Sequence, residues 1–130
     1  MKLWQKEKGS LREVERFTVG NDQEMDLLLA PHDVLGSLAH IRMLESIGLL
    51  TREEMFQLSK ALRKIYADID RGDFSVGEGV EDVHSQVELE LTKLLGDTGK
   101  KIHSGRSRND QVLVDIKLFL RTEIDMVVSE

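Results

Sequence analysis

The residues with the most chemical content lie at positions 103 to 111, where the sequence reads His-Ser-Gly-Arg-Ser-Arg-Asn-Asp-Gln. Hydroxyl, guanidinium and amide groups, all of which can bind a carboxylate, occur together here. Ser107 and Asp110 have the spacing of a capping box, with Ser107 as the N-cap of a helix, and the last helix is expected from near Asp110 onward. The first turn of a helix offers free N–H groups and partial positive charge, and Arg106 and Arg108 can bind an oxyanion with paired hydrogen bonds. The segment predicts an anion-binding turn at the head of a long helix.

The charge around this turn differs from that of the whole chain. Between positions 93 and 108 there are five basic residues and one acidic residue, although the chain carries a net charge of −6. A small anionic ligand would suit this local excess of positive charge. The alternative is a basic turn that is merely solvated, which is the usual meaning of a short charge run.

Composition narrows the class of protein. The chain has 130 residues, of which 40% are hydrophobic and 32% charged, as in one soluble globular domain. The net negative charge and few aromatic residues argue against nucleic-acid binding. No apolar run is long enough for a membrane span, and the polar start does not resemble a signal peptide. No cysteine is present and no histidine pair has metal-ligand spacing, so we expect a cytoplasmic protein without a metal site.

Helical periodicity dominates, and no segment shows the alternation of a strand. An all-α fold is therefore predicted. The first expected segment is a polar, extended arm to about Arg16, anchored by Trp4. A helical turn at 22–29 and a helix from His32 or Asp33 to Gly48 follow, and then a helix from the Thr51–Glu54 capping box to Gly72. A loop at 73–80, a helix from Glu81 and Asp82 to Gly96, a break at 96–99 and a last helix from near Asp110 complete the prediction.

Two of these helices carry informative apolar patterns. The helix after Thr51 has one apolar stripe, typical of a core-facing surface, made by Met55, Leu58, Leu62, Ile65 and Ile69. The helix after Asp110 is apolar over much of its circumference and has no stop signal before Glu130, so it should have neighbours on several sides. We therefore expect an N-terminal helical domain at 1–109, followed at 110–130 by the start of the first long helix of a central helical bundle.

The block from His103 to Val112 resembles the first signature block of the argininosuccinate lyase family, in the fumarase/aspartase superfamily. Three other segments resemble the same family: Glu81-Asp82-Val83-His84 is similar to its Glu-Asp-x-His segment, Asp33-Val34-Leu35-Gly36-Ser37 to its early Asp-x-x-Gly-Ser helix, and Leu3-Trp4 to its Leu-Trp opening. The resemblance covers nearly the whole chain, and the 103–112 block is its most specific part.

The resemblance implies an activity and an assembly. The family cleaves argininosuccinate reversibly to arginine and fumarate without a cofactor, and it forms an all-helical homotetramer whose active sites combine three subunits. By resemblance, Asn109 contacts the substrate and Ser107 and Arg108 lie in the same pocket. The family's catalytic histidine and serine belong to blocks that follow position 130, so no catalytic acid or base is assigned within these residues.

Three further residues are assigned to substrate binding by resemblance. His84 is similar to a histidine at the periphery of the family's site, and its alternative is a surface histidine near a helix start. Asp26 and Asp22 fall on an acidic and a serine position that reach the substrate in many relatives, so Asp22 departs from the commoner pattern. Asp26 suits the cationic end of the substrate, whereas both aspartates can instead favour a helix start. His40 is expected to pack in its helix and His103 to shape the turn.

Two other functions remain open. Adenylosuccinate lyase and fumarase also handle succinyl groups, although the Ser107–Asp110 run and the Glu-Asp-x-His segment favour the argininosuccinate branch. A non-catalytic helical module of the lens-crystallin type is the other alternative, because a fold does not by itself secure an activity.

The absence of an assigned acid and base predicts that residues 1–130 alone have no lyase activity. The purified 130-residue chain, incubated with argininosuccinate, should release no fumarate above the uncatalysed rate. Fumarate can be followed by its ultraviolet absorbance, and steady release proportional to the amount of chain would contradict the prediction.

Overall fold

The computed structural model describes residues 12–130, and the expectations for Leu3 and Trp4 fall outside that range. The described part contains helices and no strand, so the all-α prediction is confirmed. The elements are α1 (Arg12–Val19), α2 (Asp22–Asp26), a 3₁₀ turn (Leu27–Leu29), α3 (Ala30–Ser46), α4 (Arg52–Asp70), α5 (Val83–Leu95), α6 (Asp97–Lys100), a second 3₁₀ turn (Lys101–His103) and α7 (Arg108–Ser129).

The start of the described chain is helical. We expected a polar, extended arm as far as Arg16, and for residues 12–16 this is wrong because they belong to α1. Phe17, a large apolar side chain of α1, is 91% exposed and does not anchor this helix to the core. Gly20, with φ of 53°, closes the helix before α2 begins.

The helix α3 begins at Ala30, two to three residues earlier than expected, so Pro31 lies inside its first turn. Proline is tolerated there because the first N–H groups of a helix have no partner within the helix. Gly48, with φ of 81°, follows the end of α3 and its N–H donates to the carbonyl of Glu45, as expected for a C-cap.

The capping box of α4 is confirmed. Glu54 N–H donates to Thr51 Oγ1 at 3.1 Å and Thr51 N–H donates to Glu54 Oε2 at 2.9 Å. Leu58, Leu62 and Ile65 of the predicted stripe are buried, while its two end residues pack at the margin of the core. The stripe faces α3 and α5, and these three helices enclose the main hydrophobic core.

After the loop at 73–80, α5 begins with Asp82 as its N-cap, and Asp82 Oδ1 accepts a hydrogen bond from Ser85 N–H. On α5 the side chain of Leu94 is 54% exposed, whereas Leu95 packs against the core. Gly96 ends α5 as predicted, but the 96–99 break is short, since α6 follows at once.

The last helix, α7, packs across α3 and begins at Arg108, two residues earlier than expected. Its buried side chains are polar, Gln111 and Asp115. Many of its apolar side chains are exposed: Leu113, Val114, Ile116, Leu120, Ile124, Met126, Val127 and Val128. Within residues 12–130, no helix combines the length and apolar character needed to cross a bilayer. The division into domains at 109 and 110 stays a prediction.

The sharpest steric constraint of the fold is at Gly99. A Cβ built at this position would lie 2.4 Å from the backbone carbon and oxygen of Leu91, so α6 can rest on α5 only because the side chain is absent. Gly99→Ala should therefore lower the stability by about 1–3 kcal/mol, which is typical of overpacking. Urea denaturation followed by circular dichroism measures this. Lys100→Ala, an exposed change in the same turn, is the control and should leave the midpoint unchanged.

Candidate functional site

The head of α7 has the local geometry that the sequence predicted. Ser107 N–H donates to Asp110 Oδ2 at 2.9 Å, and Asp110 N–H donates to Ser107 Oγ at 3.3 Å. The hydrogen bond from the Ser107 backbone holds the pKa of Asp110 below its ordinary value. Asn109 lies in the first turn of α7 and is exposed. The capping box therefore presents the Asn109 amide at the positive end of a long helix.

Arg108 reaches back from α7 to the head of α5. Its Nη1 contacts the carboxylates of Glu81, at 3.3 Å, and Asp82, and its Nη2 donates to Ser85 Oγ at 2.9 Å. The guanidinium is thus largely occupied by acids of its own chain. Arg108 borders the small cavity beside His84, but its arrangement here fixes α7 to α5 rather than presenting a free cation.

His84 is buried, with 6% of its surface exposed, so the alternative of a surface histidine is wrong. Its Nδ1 lies 2.9 Å from Asp33 Oδ1 and 3.5 Å from Asp115 Oδ2. Burial lowers the pKa of His84, but the hydrogen bond to Asp33 and the charges of Asp33, Asp82 and Asp115 together outweigh it, so the pKa is raised above the ordinary value. The ring is held in a setting that favours the imidazolium.

Two aspartates that the sequence did not single out for the site complete this cluster. Asp33 on α3 is fully buried and Asp115 on α7 is 1% exposed. Asp33 Oδ1 also accepts a hydrogen bond from Gln111 Nε2 at 2.6 Å, whereas Asp33 Oδ2 and both oxygens of Asp115 have no donor among the described residues. Burial, with the neighbouring charge of Asp33, raises the pKa of Asp115 to about 8. Three helices therefore meet at one buried acid–imidazole cluster.

Arg106 lies between this cluster and the surface. Its Nη2 donates to Ser37 Oγ at 3.0 Å, and its Nε is buried without a partner in the part of the chain that the structure describes. Burial lowers the pKa of Arg106, against the charges of Asp33 and Asp115. Arg106 lines two adjacent cavities: one of about 10 Å³ shared with His84 and Arg108, and one of about 330 Å³ shared with Asp115. Sequence reasoning named Arg106 as a possible anion ligand but did not assign it to the site.

The remaining histidines near the turn are structural. His40 reaches across from α3, where its Nε2 lies 2.7 Å from the carbonyl oxygen of Ser104, so it does more than pack within its own helix. Burial lowers the pKa of His40. His103 belongs to the 3₁₀ turn before the bend and lines the small cavity, in keeping with the expected role in shaping the turn.

The two N-terminal aspartates occupy different settings. Asp26 Oδ2 accepts a hydrogen bond from the backbone N–H of Val83 at 2.6 Å, so this carboxylate caps the start of α5. Burial raises the pKa of Asp26 despite that hydrogen bond. Asp22 is exposed in the first turn of α2 and lines neither cavity beside Arg106. Asp26 therefore lies beside the segment that carries His84, and Asp22 is not brought to the cluster.

The cluster has the outline of a metal site, which the spacing of histidines along the sequence did not indicate. One donor atom from each of Asp33, His84 and Asp115 lies within 4.8 Å of the others. Its own residues supply the balancing charges, however, since His84 and Arg106 face the two acids. The donor set can thus be satisfied by protons and a guanidinium without an ion.

Over residues 12–130 the helical fold gathers cationic and amide groups at the head of one long helix, which suits an enzyme that handles carboxylates. A family model described as "Lyase" matches residues 3–130, so the chain belongs to this lyase family. Similar curated proteins are named argininosuccinate lyase: those of Bacteroides thetaiotaomicron (69% identical over 95% of this chain), Bacteroides fragilis (69% over 98%) and Methylococcus capsulatus (51% over 88%). The matched region covers 28%, 29% and 24% of these relatives, so the chain spans less than a third of their length.

The raised pKa of Asp115 makes a prediction about stability. An acid whose pKa is higher in the folded than in the unfolded state binds more protons when folded, so it reduces stability as the pH rises from about 4 towards 8. Asp115→Asn removes this titration and keeps the shape of the side chain. The urea midpoint of the variant minus that of the unmodified protein should be larger at pH 8.5 than at pH 5. If this difference in midpoint is the same at both pH values, Asp115 does not bind a proton in the folded protein.

Proposed function

We propose that this chain is the substrate-binding N-terminal part of an argininosuccinate lyase, which eliminates fumarate from argininosuccinate and leaves arginine. The proposal gives the full-length protein a place in arginine biosynthesis. It is supported by the names of relatives up to 69% identical and by the carboxylate-binding groups gathered at the head of α7. The same names favour the argininosuccinate branch over adenylosuccinate lyase and fumarase.

The proposed elimination requires fixed hydrogen-bond donors at one carboxylate of the substrate. A base removes a proton from the carbon beside that carboxylate, negative charge builds on its oxygens as an aci-carboxylate, and the C–N bond then breaks. Donors that are already in place stabilise the charge without reorganising. Asn109, exposed in the first turn of α7, is the donor most free to do so, with Ser107 and the helix N-terminus beside it.

Arg108 and His84 both support carboxylate binding. Arg108 forms ion pairs with Glu81 and Asp82 that fix the turn relative to α5, and its other N–H groups can donate into the small cavity that it shares with His84. His84, which lines the adjoining cavity, supplies a cationic donor to a carboxylate. Asp26 and Asp22 are assigned to the guanidinium end of the substrate, and for Asp26 one oxygen is already used by Val83 N–H.

The partners that we propose are the substrate and other copies of the full-length protein, in a homotetramer located in the cytoplasm. The exposed apolar side chains of α7 support association, because a surface of this kind is normally covered. The catalytic acid and base come from the remainder of the full-length protein, and no cofactor is required by the proposed reaction.

Removing the Asn109 amide tests this function most simply. In the full-length protein, Asn109→Ala should lower kcat/KM for argininosuccinate by about 100-fold, the effect of losing one donor to a developing oxyanion. Because Asn109 is exposed, helix content and thermal midpoint should stay the same. Gln57→Ala, the loss of an exposed amide on α4, is the matched control and should keep full activity. Full activity of Asn109→Ala would remove this residue from the site.

A further inference from the structure

The buried cluster around His84 contains more polar groups than a histidine needs for packing. Its imidazole faces two carboxyl groups from two other helices, Asp33 on α3 and Asp115 on α7, and α7 also brings in the Gln111 amide. Burying an ionised acid costs free energy unless an opposite charge or a hydrogen-bond donor lies beside it. The positions of the donors therefore determine which of these acids is ionised and which is protonated.

The hydrogen bonds divide the two acids unequally. Asp33 Oδ1 accepts a hydrogen bond from Gln111 Nε2 at 2.6 Å and lies 2.9 Å from His84 Nδ1, which donates to it when that nitrogen carries a proton. Neither oxygen of Asp115 receives a donor from the described residues. A carboxylate is stabilised by donors and a carboxylic acid is not in need of them, so Asp33 is the ionised member and Asp115 the protonated one. A proton on Asp115 removes the repulsion between the two acids, each of which has an oxygen within 4.8 Å of the other's.

Charged groups from several elements face His84. They are Asp26 from α2, Asp33 from α3, Asp115 from α7, Arg106 from the bend, and Asp82 and Glu88 from α5. Asp82 is engaged by Arg108, and Asp26 accepts a hydrogen bond from Val83 N–H. In the buried centre, Asp33 is opposed by the imidazole of His84 and by Arg106, which both line the small cavity.

We propose that Asp33 is a positioning residue for His84: it holds Nδ1–H so that Nε2–H is directed to a substrate carboxylate, while Asp115 carries the proton that lets the two acids lie together. This inference rests on the proposed function, since it takes the ligand to be a carboxylate of the lyase substrate. Asp33 does not touch that ligand. Its effect passes through the orientation and charge of the imidazole.

The first test compares single and double variants of the full-length protein. Asp33→Asn should lower kcat/KM for argininosuccinate by about 10- to 100-fold, as the loss of a histidine's orienting carboxylate does elsewhere. Asp115→Asn should lower kcat/KM by a smaller factor than Asp33→Asn does. If Asp33 acts through His84, the double variant Asp33→Asn/His84→Asn should be no worse than His84→Asn alone. Losses that multiply in the double variant would overturn the proposal. Asp70→Asn, an exposed acid on α4, is the control.

The pH profile separates positioning from simple destabilisation. Because Asp33 favours the imidazolium, its replacement should move the alkaline limb of the kcat/KM profile to lower pH, and Asp70→Asn should not move it. An unshifted limb in an active Asp33→Asn protein would overturn the proposal. So would activity that is lost on treatment with a chelator and restored by Zn²⁺, because the same donor atoms would then hold a metal.

A measurement on the unmodified protein covers the case in which Asp33→Asn fails to fold. Nitrogen NMR of the histidine-labelled full-length protein should show both ring nitrogens of His84 protonated at neutral pH, with His84→Asn identifying the signal. A neutral ring with only one protonated nitrogen would overturn the proposal. If the unmodified protein folds but does not cleave argininosuccinate, the proposed function fails, whereas this spectrum still decides the state of His84.

Discussion

The hydrogen bond between His84 Nδ1 and Asp33 Oδ1 joins α5 to α3 at a point that is almost closed to solvent. Gln111 from α7 donates to the same oxygen, so one atom of Asp33 receives contacts from two other helices. Breaking a buried charged pair typically costs about 3–5 kcal/mol, because the remaining charge is left without a partner. The relative placement of these three helices therefore depends on this contact more than on any apolar contact of α7.

The head of α7 follows from that placement. The buried side of α7 is polar, and its Gln111 and Asp115 face the cluster, while Gly36 on α3 lets the two helices approach so closely that an added Cβ would meet Val114 at 3.3 Å. Fixing α7 in this way fixes the Ser107 cap and the Asn109 amide at its start. The Ser107 turn and the buried cluster are thus parts of one arrangement, in which the buried Asp33 carboxyl group sets the position of the hydrogen-bond donors at the surface.

Local sequence signals predicted those parts of the structure that depend on neighbours along the chain. The Thr51–Glu54 and Ser107–Asp110 capping boxes each join residues three positions apart, and both are present as expected. The all-α fold also follows from local periodicity. The helix starts at Ala30 and Arg108 were missed by two or three residues, because proline and polar side chains are tolerated in a first turn.

The cluster was not predictable in the same way. His84 and Asp33 lie 51 residues apart, and Asp26 caps a helix whose start lies 57 residues further along the chain. Periodicity says which face of a helix is apolar but not which buried polar residues meet across helices. The signal that was available is the placement of Gln111 and Asp115 four residues apart on one face of α7, a polar interruption in an otherwise apolar helix.

We propose that the donors at the head of α7 and the imidazole of His84 hold one carboxylate of the substrate. A crystal structure of the full-length protein with bound fumarate would reveal this contact. We predict that one fumarate carboxylate lies within hydrogen-bonding distance of both the Asn109 amide and His84 Nε2, with Asp33 still bound to Nδ1. Fumarate bound in the active site with both carboxylates away from Asn109 and His84 would show that these residues do not bind the substrate.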